Sequence, residues 1–509
     1  MKDIRSALIS VYDKTGLLPI LKHLAENEVR LISTGGTYDY IKSQGYDVQT
    51  VESLTDYPSI LGGRVKTLHP KVFGGLLGRE DMESDRAEME QYQIDAIDLC
   101  VVDLYPFEET VRSGATHADV IEKIDIGGIS LIRAAAKNYN NTLVISSKNQ
   151  YDAFLEVYLR KAGKTDLETR KKFAAYAFDV SAHYDKEIFS YLNQGEDFSK
   201  SLKVSENKHT VLRYGENPHQ EGRFYGDLNE VFKQLNGKPI SYNNLIDLSA
   251  GIDFLQDLKN YDECAFIIIK HTNACGFALG NDLLSAYQKA LAGDPQSAFG
   301  GIFLTNKKIT KAAAAEMHRI FFEICIAPDY DEEALAILKQ KSKRIILKLE
   351  ALPIQQQEVK TCLNGYLYQN KDHKIEQPQD FEQVTHEKAD QSSLSDLALA
   401  SIVVKNTKSN AIVLLKDGQL VGSGTGQTSR VDALNQAIAK AKKFKLPLEG
   451  AVMASDAFFP FPDCVEIAHQ VGIKAVVQPG GSIKDQDSID YCNQHRMAMV
   501  FTGTRHFKH

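Results

Sequence analysis

The sequence of 509 residues contains no tryptophan and only seven cysteines, whose spacing matches neither a disulfide framework nor a zinc site. The number of cysteines is odd, and no two form a C-x-x-C pair. This excludes a disulfide scaffold and argues against structural zinc. The zinc-deaminase signature, H-x-E with P-C-x-x-C, is also missing, so zinc-activated water is not indicated and we expect no metal site.

The sequence also lacks long apolar runs and a strong excess of one charge. No run of 18 or more apolar residues occurs, so we expect no membrane span. The first six residues lack the apolar core of a signal peptide, and we expect the chain to start as a folded domain in the cytoplasm. The 59 basic and 67 acidic residues are intermixed and give a net charge of −8, so we expect no nucleic-acid partner.

The order of apolar runs predicts an α/β fold with more than one folding unit. At roughly 150 residues per domain, the length suggests two to four units. Short apolar runs alternate with helix-like segments, which is typical of a mostly parallel sheet with helices on both faces. Residues 151–193 are predicted to be helical throughout. The predicted strands are 7–11, 29–32, 99–102, 143–145, 265–269, 301–304, 411–415, 451–454, 474–477 and 498–501.

Polar segments and turn signals predict where the units begin and end. Residues 195–209 are polar and charged, and we interpret them as a linker between domains. The polar segment 369–396 is interpreted as the join between two halves of one large domain. Asp417-Gly418 between two apolar runs predicts a β-hairpin. Thr310 and Ser429 are the predicted N-caps of two helices, the first expected over 312–322.

Two loops near the N-terminus contain the small and polar residues that suit a phosphate. Residues 33–37 (STGGT) join a strand to a helix, where free backbone N–H groups and the helix dipole favour an anion. Ser10 and Lys14 follow the first strand in the same manner, and open parallel sheets bind ligands at such strand ends. An ordinary tight turn is the alternative. Neither loop matches G-x-G-x-x-G or G-x-x-x-x-G-K-[ST], which argues against dinucleotide and P-loop sites.

Two further segments of the first half contain charged groups beside glycines. Residues 62–71 carry three cations and a histidine after a Gly-Gly pair, which suits a loop facing an anion, although a charge run is usually a solvated surface. Asp125 precedes Gly128 and a helix that contains Lys137, which suits an anion or oxyanion site. The alternative for Asp125 is an ordinary carboxylate at a helix N-terminus. A pocket shared by Asp125 and Lys137 would require tertiary structure that the sequence does not prove.

Lys270 and His271 directly follow an apolar run, at a position where α/β enzymes place catalytic groups. Histidine can act as a general base near neutral pH, and a partly desolvated lysine can donate a proton or stabilise negative charge. A lone histidine is more often structural, but the adjacent lysine, asparagine and glycine favour a functional role. Nothing else in the sequence supports Cys275 as a nucleophile. A basic C-terminal tail is usually mobile, but Arg505 would suit a phosphate if the tail is docked.

Together these segments resemble a family of bifunctional purine-biosynthesis enzymes from residue 6 to the last residue, in the family's order. The resemblance to its IMP cyclohydrolase part lies in the segments ISVYDKTGL, STGGT, GGRVKTLHPKVFGGLL, DLYPF and DIGGISLIRAAAKN. The resemblance to its AICAR transformylase part lies in the segments LRYGENPHQ, NGKPISYNN, KHTNACG, DPQSAFGGI, KSNAIV, GSGTGQTSRVDA, SDAFFPFPD and QPGGSIKDQDSID. Two departures are visible: Ala274 stands where the family often has proline, and Glu323 where some members have aspartate.

The resemblance implies a fold and two reactions. Residues 1–196 would form a methylglyoxal-synthase-like, Rossmann-type cyclohydrolase domain. Residues 197–509 would form the transformylase from two cytidine-deaminase-like α/β subdomains joined near 365–396. A formyl group would pass from the cosubstrate 10-formyltetrahydrofolate to AICAR, and the product FAICAR would then close to IMP with loss of water. The resemblance implies a homodimer with transformylase sites at the subunit interface and no tightly bound cofactor. The sequence leaves a potassium ion open, since monovalent ions have no spacing signature.

The resemblance also implies site residues. The cyclohydrolase would use Lys66, Tyr105, Asp125 and Lys137 as catalytic residues and would bind its substrate through Ser10, Lys14, Ser33, Thr34, Gly35, Gly36, Thr37, Arg64, Thr67 and Gly127. In the transformylase, His271 would be the base and Lys270 the acid or electrostatic partner. Its pocket would add Arg213, Tyr214, Asn244, Glu323, Asn410, Phe458, Arg505 and His509, with Asn236 and Asn243 as alternatives to Asn244.

Two alternatives of other classes remain at the level of the sequence. The first is a nucleotide-binding regulatory module fused to a synthase, in which the N-terminal loops would sense a ligand. The many candidate proton-transfer groups in 62–71 and at Lys137 argue against it. The second is a nicotinamide-dependent oxidoreductase, which only the α/β pattern suggests and which lacks the glycine fingerprint.

Overall fold

The computed structural model describes residues 1–193, 201–353 and 355–509, and the chain forms two compact units, Met1–Asn207 and Lys208–His509. The predicted boundary between residues 196 and 197 lies outside the described residues. Within the described ranges, no helix is long and apolar enough to span a membrane. Both units mix helices and strands, and the predicted α/β class is confirmed.

The first unit contains seven strands and ten α-helices within its described residues. The strands are β1 (Lys2–Asp3), β2 (Ser6–Ser10), β3 (Arg30–Ser33), β4 (Gln49–Thr50), β5 (Leu99–Val102), β6 (Leu143–Ile145) and β7 (Lys164–Thr165). The helices are α1 (Leu17–Glu26), α2 (Gly35–Ser43), α3 (Val51–Thr55), α4 (Pro70–Leu77), α5 (Glu83–Gln91), α6 (Phe107–Arg112), α7 (His117–Ile121), α8 (Gly127–Lys137), α9 (Tyr151–Arg160) and α10 (Leu167–Leu192). The expectation of unbroken helix over 151–193 is wrong, because β7 separates α9 from α10.

Five strands of the first unit form a parallel sheet in the order β4-β3-β2-β5-β6. Strand β5 is buried on both faces, because alternate residues point to opposite sides: Leu99 and Val101 pack in one apolar cluster, Cys100 and Val102 in another. The carboxyl ends of β2, β3 and β5 therefore meet at one edge of the sheet. The predicted parallel sheet is confirmed, and this edge carries the cavity described below.

The second unit is built from sixteen strands and nine α-helices within its described residues. The strands are β8 (His209–Val211), β9 (Arg223–Tyr225), β10 (Phe232–Asn236), β11 (Cys264–Lys270), β12 (Asn273–Gly280), β13 (Ile302–Thr305), β14 (Ile324–Ala327), β15 (Ile345–Leu349), β16 (Gln357–Cys362), β17 (Gly365–Asn370), β18 (Glu382–Gln383), β19 (Ile412–Lys416), β20 (Gln419–Gly424), β21 (Val452–Ser455), β22 (Ala475–Gln478) and β23 (Ala498–Phe501). The helices are α11 (Tyr242–Asp257), α12 (Leu283–Gly293), α13 (Pro295–Ala298), α14 (Lys311–Met317), α15 (Glu332–Lys339), α16 (Gln391–Lys405), α17 (Arg430–Lys443), α18 (Asp463–Gln470) and α19 (Asp485–Gln494).

Two halves of the second unit repeat one topology. Each half begins with a helix and a β-hairpin and continues with three parallel strands separated by helices: α11 to β15 in the first half, α16 to β23 in the second. The halves share one sheet of twelve strands, in the order β10-β15-β14-β13-β11-β12-β20-β19-β21-β22-β23-β18. The hairpin strands β12 and β20 pair at its centre, where Ala278 lies opposite Gln419. The two predicted halves are therefore present, but they are joined by a continuous sheet.

Helices cover both faces of this sheet. Helices α11 and α16 pack on one face in a cluster that contains residues of both halves, such as Phe254 and Ile402. On the opposite face each half has its own cluster, with Tyr287 from α12 in the first and Leu434 from α17 in the second. Strand β11 again alternates, with Ile267 in the shared cluster and Ile268 in the other.

The predicted caps and hairpin are present in the second unit. The Thr310 hydroxyl accepts a hydrogen bond from Ala313 N, and the Ser429 hydroxyl accepts one from Asp432 N. The first of these helices ends at Met317, earlier than predicted. Asp417-Gly418 forms the turn between β19 and β20, as expected. The polar segment 369–396, interpreted as the join between the two halves, contains β18 and the start of α16.

Candidate active sites

A cavity of about 710 Å³ lies at the carboxyl edge of the first sheet. The N-termini of α2 and α8 border it, so backbone N–H groups and the positive ends of two helix dipoles face one space. Most of the predicted cyclohydrolase residues line it: Ser10, Lys14, Thr34, Gly35, Gly36, Thr37, Arg64, Lys66, Thr67, Tyr105, Asp125 and Gly127. The structure therefore brings together loops that are separated by about a hundred residues in the sequence.

Lys66 lies between two glycine backbones of this cavity. A Cβ atom at Gly35 would be 3.2 Å from Lys66 Nζ, and one at Gly63 would be 2.9 Å from Lys66 Cε. Both glycines have positive φ, +55° and +94°, which other residues adopt at a cost. The close approach explains why the STGGT and GGRVK loops both need glycine here. It places an ammonium group beside the N-terminus of α2, where an anion is doubly favoured.

Asp125 is buried at the start of α8. Its Oδ1 accepts a hydrogen bond from Gly128 N, and its own N–H donates to the hydroxyl of Tyr184, which in turn donates to Lys123 O. Burial raises the pKa of the Asp125 carboxyl, although the Gly128 hydrogen bond opposes this change. A desolvated carboxylate with a raised pKa at a helix N-terminus is suited to orienting or accepting a proton.

Tyr105 forms another wall of the cavity. Its ring contacts that of Tyr12 edge to face, with centroids 5.6 Å apart, and Lys123 Nζ lies 5.7 Å from its centroid. Burial and the nearby Asp125 both raise the pKa of the Tyr105 hydroxyl. Its phenol therefore stays protonated at neutral pH and can donate a hydrogen bond.

Two predicted residues of the cyclohydrolase do not line this cavity. Ser33 is fully buried in β3, and its hydroxyl donates to Ile9 O. Lys137 ends α8, so about 15 Å of helix separates it from the Asp125 end. It lines a different cavity with Arg133 and Phe178.

Several cavity residues were not predicted. Asp103 follows β5, and its carboxylate accepts hydrogen bonds from the backbone N–H groups of Tyr12 and Asp13, the latter over 3.0 Å. Burial raises the pKa of Asp103. The rule that ligands bind at strand ends could have found it, because β5 is the neighbour of β2. The other missed lining residues are Val11, Tyr12, Ile121, Glu122, Ile124, Ile126 and Leu131, whereas Gly62, Gly63 and Gly128 belong to segments that the sequence predicts to face an anion.

In the second unit, Lys270 and His271 lie at a β-hairpin turn. Lys270 is the last residue of β11, and Asn273 begins β12. Lys270 Nζ donates to Phe299 O over 2.5 Å. Because β11 runs antiparallel to β13, these residues lie at the amino ends of the parallel strands β13–β15. Lys270 and His271 therefore lie at the carboxyl end of a buried strand, as predicted, but not at the edge where the parallel strands β13–β15 end.

The hairpin turn is connected to the second half of the unit. Asn273 Oδ1 accepts a hydrogen bond from Lys408 N, two residues before Asn410. The Asn410 amide donates to Gln427 O and Thr428 O. Ser409 exchanges backbone and side-chain hydrogen bonds with Lys508, adjacent to His509. The structure thus links the Lys270 turn, the Asn410 loop and the C-terminal tail.

The C-terminal tail is docked. His506 is 4% exposed, its Nδ1 lies 2.6 Å from Asp372 Oδ2, and its Nε2 lies 3.0 Å from Glu376 Oε2. The Arg505 guanidinium lies 4.3 Å from the Phe507 ring centroid. The backbone N–H of His506 donates to Asp456 O, on the segment that leads to the exposed Phe458.

The three candidate asparagines differ in their contacts. Asn236 donates to Arg344 O over 2.7 Å, Asn243 donates to Glu216 O over 3.2 Å, and Asn244 forms a capping box with Ser241 at the start of α11. Asn236 therefore serves the join between β10 and β15. Asn243 ties α11 to the loop that carries Arg213 and Tyr214.

Glu323 is a predicted site residue of this unit, whereas nothing in the sequence supports Cys275 as a nucleophile. The Glu323 carboxylate pairs with Lys238 over 2.8 Å, and its backbone N–H donates to Gly301 O, close to the Lys270 side chain. Burial raises the pKa of the Cys275 thiol to about 12, and its Sγ donates to Ile268 O. A neutral, buried thiol is not a nucleophile at physiological pH.

Two models of known protein families match most of this chain. A family model described as the AICARFT/IMPCHase bienzyme matches residues 135–440, and one described as an MGS-like domain matches residues 16–130. The chain belongs to the AICARFT/IMPCHase bienzyme family. The predicted family, its methylglyoxal-synthase-like domain and its two enzymatic activities are thereby confirmed, and the oxidoreductase and regulatory alternatives gain no support.

Relatives of this family are similar over their full lengths. The "Bifunctional purine biosynthesis protein PurH" of Bacteroides thetaiotaomicron is 56% identical over 100% of this chain and 99% of its own. Proteins of the same name from Clostridioides difficile and Aquifex aeolicus are each 44% identical over 99% of this chain and 100% of their own.

Proposed function

We propose that this member of the AICARFT/IMPCHase bienzyme family formylates AICAR with 10-formyltetrahydrofolate in its second unit and closes FAICAR to IMP in its first. The observation that supports this best is the cavity that brings Lys66, Tyr105 and Asp125 together with the loops that the sequence predicts to bind phosphate. The direct experiment mixes the protein with AICAR and 10-formyltetrahydrofolate and measures IMP. FAICAR accumulation without IMP would remove the proposed role of the first unit.

Ring closure begins with placement of the nucleotide. The ribose phosphate binds at the N-terminus of α2, where the backbone of Gly35, Gly36 and Thr37 meets Lys14 and Lys66. Ser10, Thr34, Arg64 and Thr67 complete this part of the cavity. The reaction is intramolecular, because the carboxamide nitrogen and the formyl carbon belong to the same molecule. Once the ribose phosphate is fixed, the positioning of these two groups provides much of the acceleration.

The chemical step is assigned to the other end of the cavity. The Asp125 carboxylate orients the carboxamide and accepts a proton as its nitrogen attacks the formyl carbon. Lys66, the Tyr105 hydroxyl and the backbone N–H of Gly127 stabilise the oxygen that gains negative charge. That oxygen takes up the proton held by Asp125 and the proton lost by the formamide nitrogen, and it leaves as water as the C=N bond of IMP forms. Lys137 is given no step, since it lies at the far end of α8.

Formyl transfer needs a base because the 5-amino group of AICAR is a poor nucleophile, with its lone pair delocalised into the imidazole ring. His271 removes its proton, and Lys270 stabilises the tetrahedral oxyanion or protonates the leaving folate nitrogen. The hydrogen bond from Lys270 Nζ to Phe299 O supports this role, because it fixes the position of the ammonium group of the residue that precedes His271. Arg213 and Arg505 are assigned to the nucleotide phosphate, which a guanidinium fork matches.

The remaining pocket residues are placed around this turn. Tyr214, Asn244, Glu323, Asn410, Phe458 and His509 are proposed to contact AICAR or the folate. Asn244 is preferred over Asn236, since the Asn236 amide is committed to Arg344 O. Asn243 stays an alternative, because its partner, Glu216 O, belongs to the loop next to Arg213 and Tyr214.

A homodimer is proposed, with the hairpin β16–β17 as part of its interface. Leu363 at its tip is fully exposed, and Tyr366, Leu367 and Tyr368 are each more than half exposed. A two-stranded hairpin is only marginally stable in water and normally needs a covering surface. Lys360 on β16 also donates to His509 O, so the hairpin adjoins a proposed site residue.

Sedimentation velocity tests this surface without any activity measurement. The wild-type chain is expected to be a dimer, and Leu363→Ser/Leu367→Ser is expected to shift it toward monomer. A matched double substitution at two exposed positions of the first unit, Leu159→Ser/Leu192→Ser, is expected to leave the dimer unchanged. An unaltered dimer in the hairpin variant would contradict the assignment.

The folate is a cosubstrate in this proposal, and no tightly bound cofactor takes part. A potassium requirement of formyl transfer is tested by comparing assays in potassium and tetramethylammonium salts. The proposed location is the cytoplasm, and cell fractionation with an antibody tests it.

A further inference from the structure

The turn that carries His271 has an unfavourable backbone. His271 and Thr272 both adopt left-handed conformations, with φ of +50° and +65°. Two-residue hairpin turns of this kind favour Asn-Gly or Asp-Gly, because most side chains are strained there. Threonine, with its branched Cβ, is among the least suited residues. Something outside the turn must therefore stabilise this conformation.

Asp247 on α11 provides that contact. Its Oδ1 accepts a hydrogen bond from Thr272 N over 2.7 Å, and the backbone N–H of His271 is also within hydrogen-bonding reach of the carboxylate. The turn has local bonds as well, since the Thr272 hydroxyl and the Asn273 amide both donate to His271 O. Asp247 is the contact that anchors the turn to a helix.

The second half of the unit contains the same arrangement without the histidine. Asp396 has the same place in α16 that Asp247 has in α11, the sixth residue of the helix. Its carboxylate accepts hydrogen bonds from Asp417 N at 2.8 Å and Gly418 N at 2.9 Å. These two residues form the β19–β20 turn, with φ of +49° and +71°. The fold thus repeats one device, a helix carboxylate that accepts backbone hydrogen bonds from a hairpin turn.

The lysine before each turn is repeated too. Lys416 Nζ donates to Glu449 O over 2.6 Å, as Lys270 Nζ donates to Phe299 O over 2.5 Å. In both halves the accepting residue precedes a glycine with positive φ, Gly450 or Gly300. The halves therefore differ mainly in the turn itself, which is Asp-Gly in one and His-Thr in the other. Asp-Gly adopts this turn readily, whereas His-Thr depends more on the helix carboxylate.

We propose that Asp247 is a positioning residue for formyl transfer, which holds the His271-Thr272 turn in its left-handed conformation and so places the His271 imidazole next to Lys270. This rests on the proposed role of His271 as the base. Displacement of a catalytic group by about 1 Å can cost on the order of a hundredfold in rate. The loss should therefore appear in kcat for formyl transfer more than in KM for AICAR.

The test compares Asp247→Ala with Asp396→Ala, its counterpart in the other half. Asp247→Ala is expected to lower kcat for formyl transfer by about 10- to 100-fold, with KM for AICAR changed less than about threefold. Asp396→Ala is expected to keep kcat within about twofold, since Asp-Gly favours its turn intrinsically. Asp247→Asn retains one acceptor oxygen and is expected to lose less than about fivefold.

A rescue experiment separates positioning from a general loss of structure. Glycine adopts positive φ without strain, so Thr272→Gly added to Asp247→Ala is expected to recover at least about threefold in kcat. Hydrogen exchange of the peptide 268–275 should be faster in Asp247→Ala and close to wild type in Asp247→Asn. If Asp247→Ala does not fold, Asp247→Asn and its double variant with Thr272→Gly give the same comparison.

Wild-type kcat in Asp247→Ala, or equal losses in Asp247→Ala and Asp396→Ala, would overturn the inference. So would a double variant no faster than Asp247→Ala alone. Failure of the wild-type chain to formylate AICAR would instead contradict the proposed function, so the two failures are distinguishable.

Discussion

The backbone N–H of Gly128 donates a 2.6 Å hydrogen bond to Oδ1 of Asp125, which closes the first turn of α8 over the cyclohydrolase cavity. A Cβ atom at residue 128 would lie only 2.6 Å from Asp125 Oδ2. Glycine is therefore required for the carboxylate to lie against the helix N-terminus. The proposed proton acceptor thus has its position set by the helix that also stabilises its negative charge.

Asp125→Asn is expected to lower kcat for FAICAR cyclisation by about 10²- to 10⁴-fold, the usual contribution of a positioned acid or base. Formyl transfer should be unchanged. Assays with FAICAR and with AICAR measure the two steps separately. Asp179→Asn, an exposed aspartate on α10, is the matched control. Wild-type cyclisation by Asp125→Asn would remove Asp125 from the mechanism.

The pH dependence of cyclisation follows from the same burial. Because burial raises the pKa of Asp125, its carboxylate takes up a proton at a higher pH than an ordinary aspartate does. The reaction needs the charged form, so kcat/KM for FAICAR should fall on the acid side with an apparent pKa above that of an ordinary aspartate. An acid limb that is identical in wild type and Asp125→Asn would contradict this assignment.

Lys270→Ala is expected to abolish AICAR formylation and to leave FAICAR cyclisation near wild type, because the two sets of residues belong to different compact units. Lys416→Ala is the control, since Lys416 makes the equivalent carbonyl contact in the other half. It should retain formyl transfer. Loss of both activities in a folded Lys270→Ala variant would argue against two separate sites.

A fragment of residues 1–207 is expected to be soluble and to cyclise FAICAR, since these residues form one compact unit. Ending the fragment at residue 193 removes Ser205, whose Oγ lies 2.7 Å from His183 Nδ1. That fragment should be less stable by about 1 kcal/mol, the usual contribution of one hydrogen bond. Thermal unfolding and cyclisation assays measure both effects. An inactive 1–207 fragment would place part of the cyclohydrolase beyond this boundary.

His506 makes the stability of the chain dependent on pH. Burial alone would lower its pKa, but the hydrogen bonds with Asp372 and Glu376 outweigh burial and raise the pKa to about 9. The folded pKa exceeds the unfolded value of about 6.5, so the stabilisation is complete below pH 6.5 and is lost as the pH rises through 9.

Urea unfolding of wild type and His506→Gln measures this contribution. The variant should be less stable by roughly 2 to 4 kcal/mol at pH 6. Most of that difference should vanish at pH 9.5, because neutral His506 no longer pairs with the two carboxylates. A difference that is independent of pH would show that His506 contributes through packing alone.

Metal removal is expected to leave both reactions unchanged. Within the described ranges, one group of three side chains could hold a metal ion: Glu108, His183 and Glu187, with ligand atoms within 4.8 Å of one another. None of these lines the cyclohydrolase cavity, and Glu187 is paired with Lys186. Dialysis against EDTA followed by both assays tests the expectation. Inhibition that zinc reverses would contradict it.

Much of the first site could be predicted from sequence because its residues lie next to strand and helix ends. The STGGT loop, Lys14 and Asp125 all follow or precede a regular element, and parallel strands bring such ends to one edge. Ser33 and Lys137 do not line the cavity, and no pattern in the sequence indicates this. The Ser33 hydroxyl points into the sheet, where it donates a hydrogen bond to Ile9 O, and about 15 Å of helix separates Lys137 from the start of α8.

By itself, the sequence determined the family, the α/β class, the repeated pattern of the second unit and most residues of the cyclohydrolase cavity, because these depend on local periodicity and on specific motifs. The tertiary structure decided that Lys270 and His271 lie at a hairpin turn, at the edge of the sheet where the parallel strands β13–β15 begin. Strand direction depends on pairing between distant segments, which the sequence alone does not give. The tertiary structure also decided that Asp247 and Asp396 support equivalent turns. A carboxylate and the N–H group it binds, separated by 25 residues, become neighbours only when a helix packs against a hairpin.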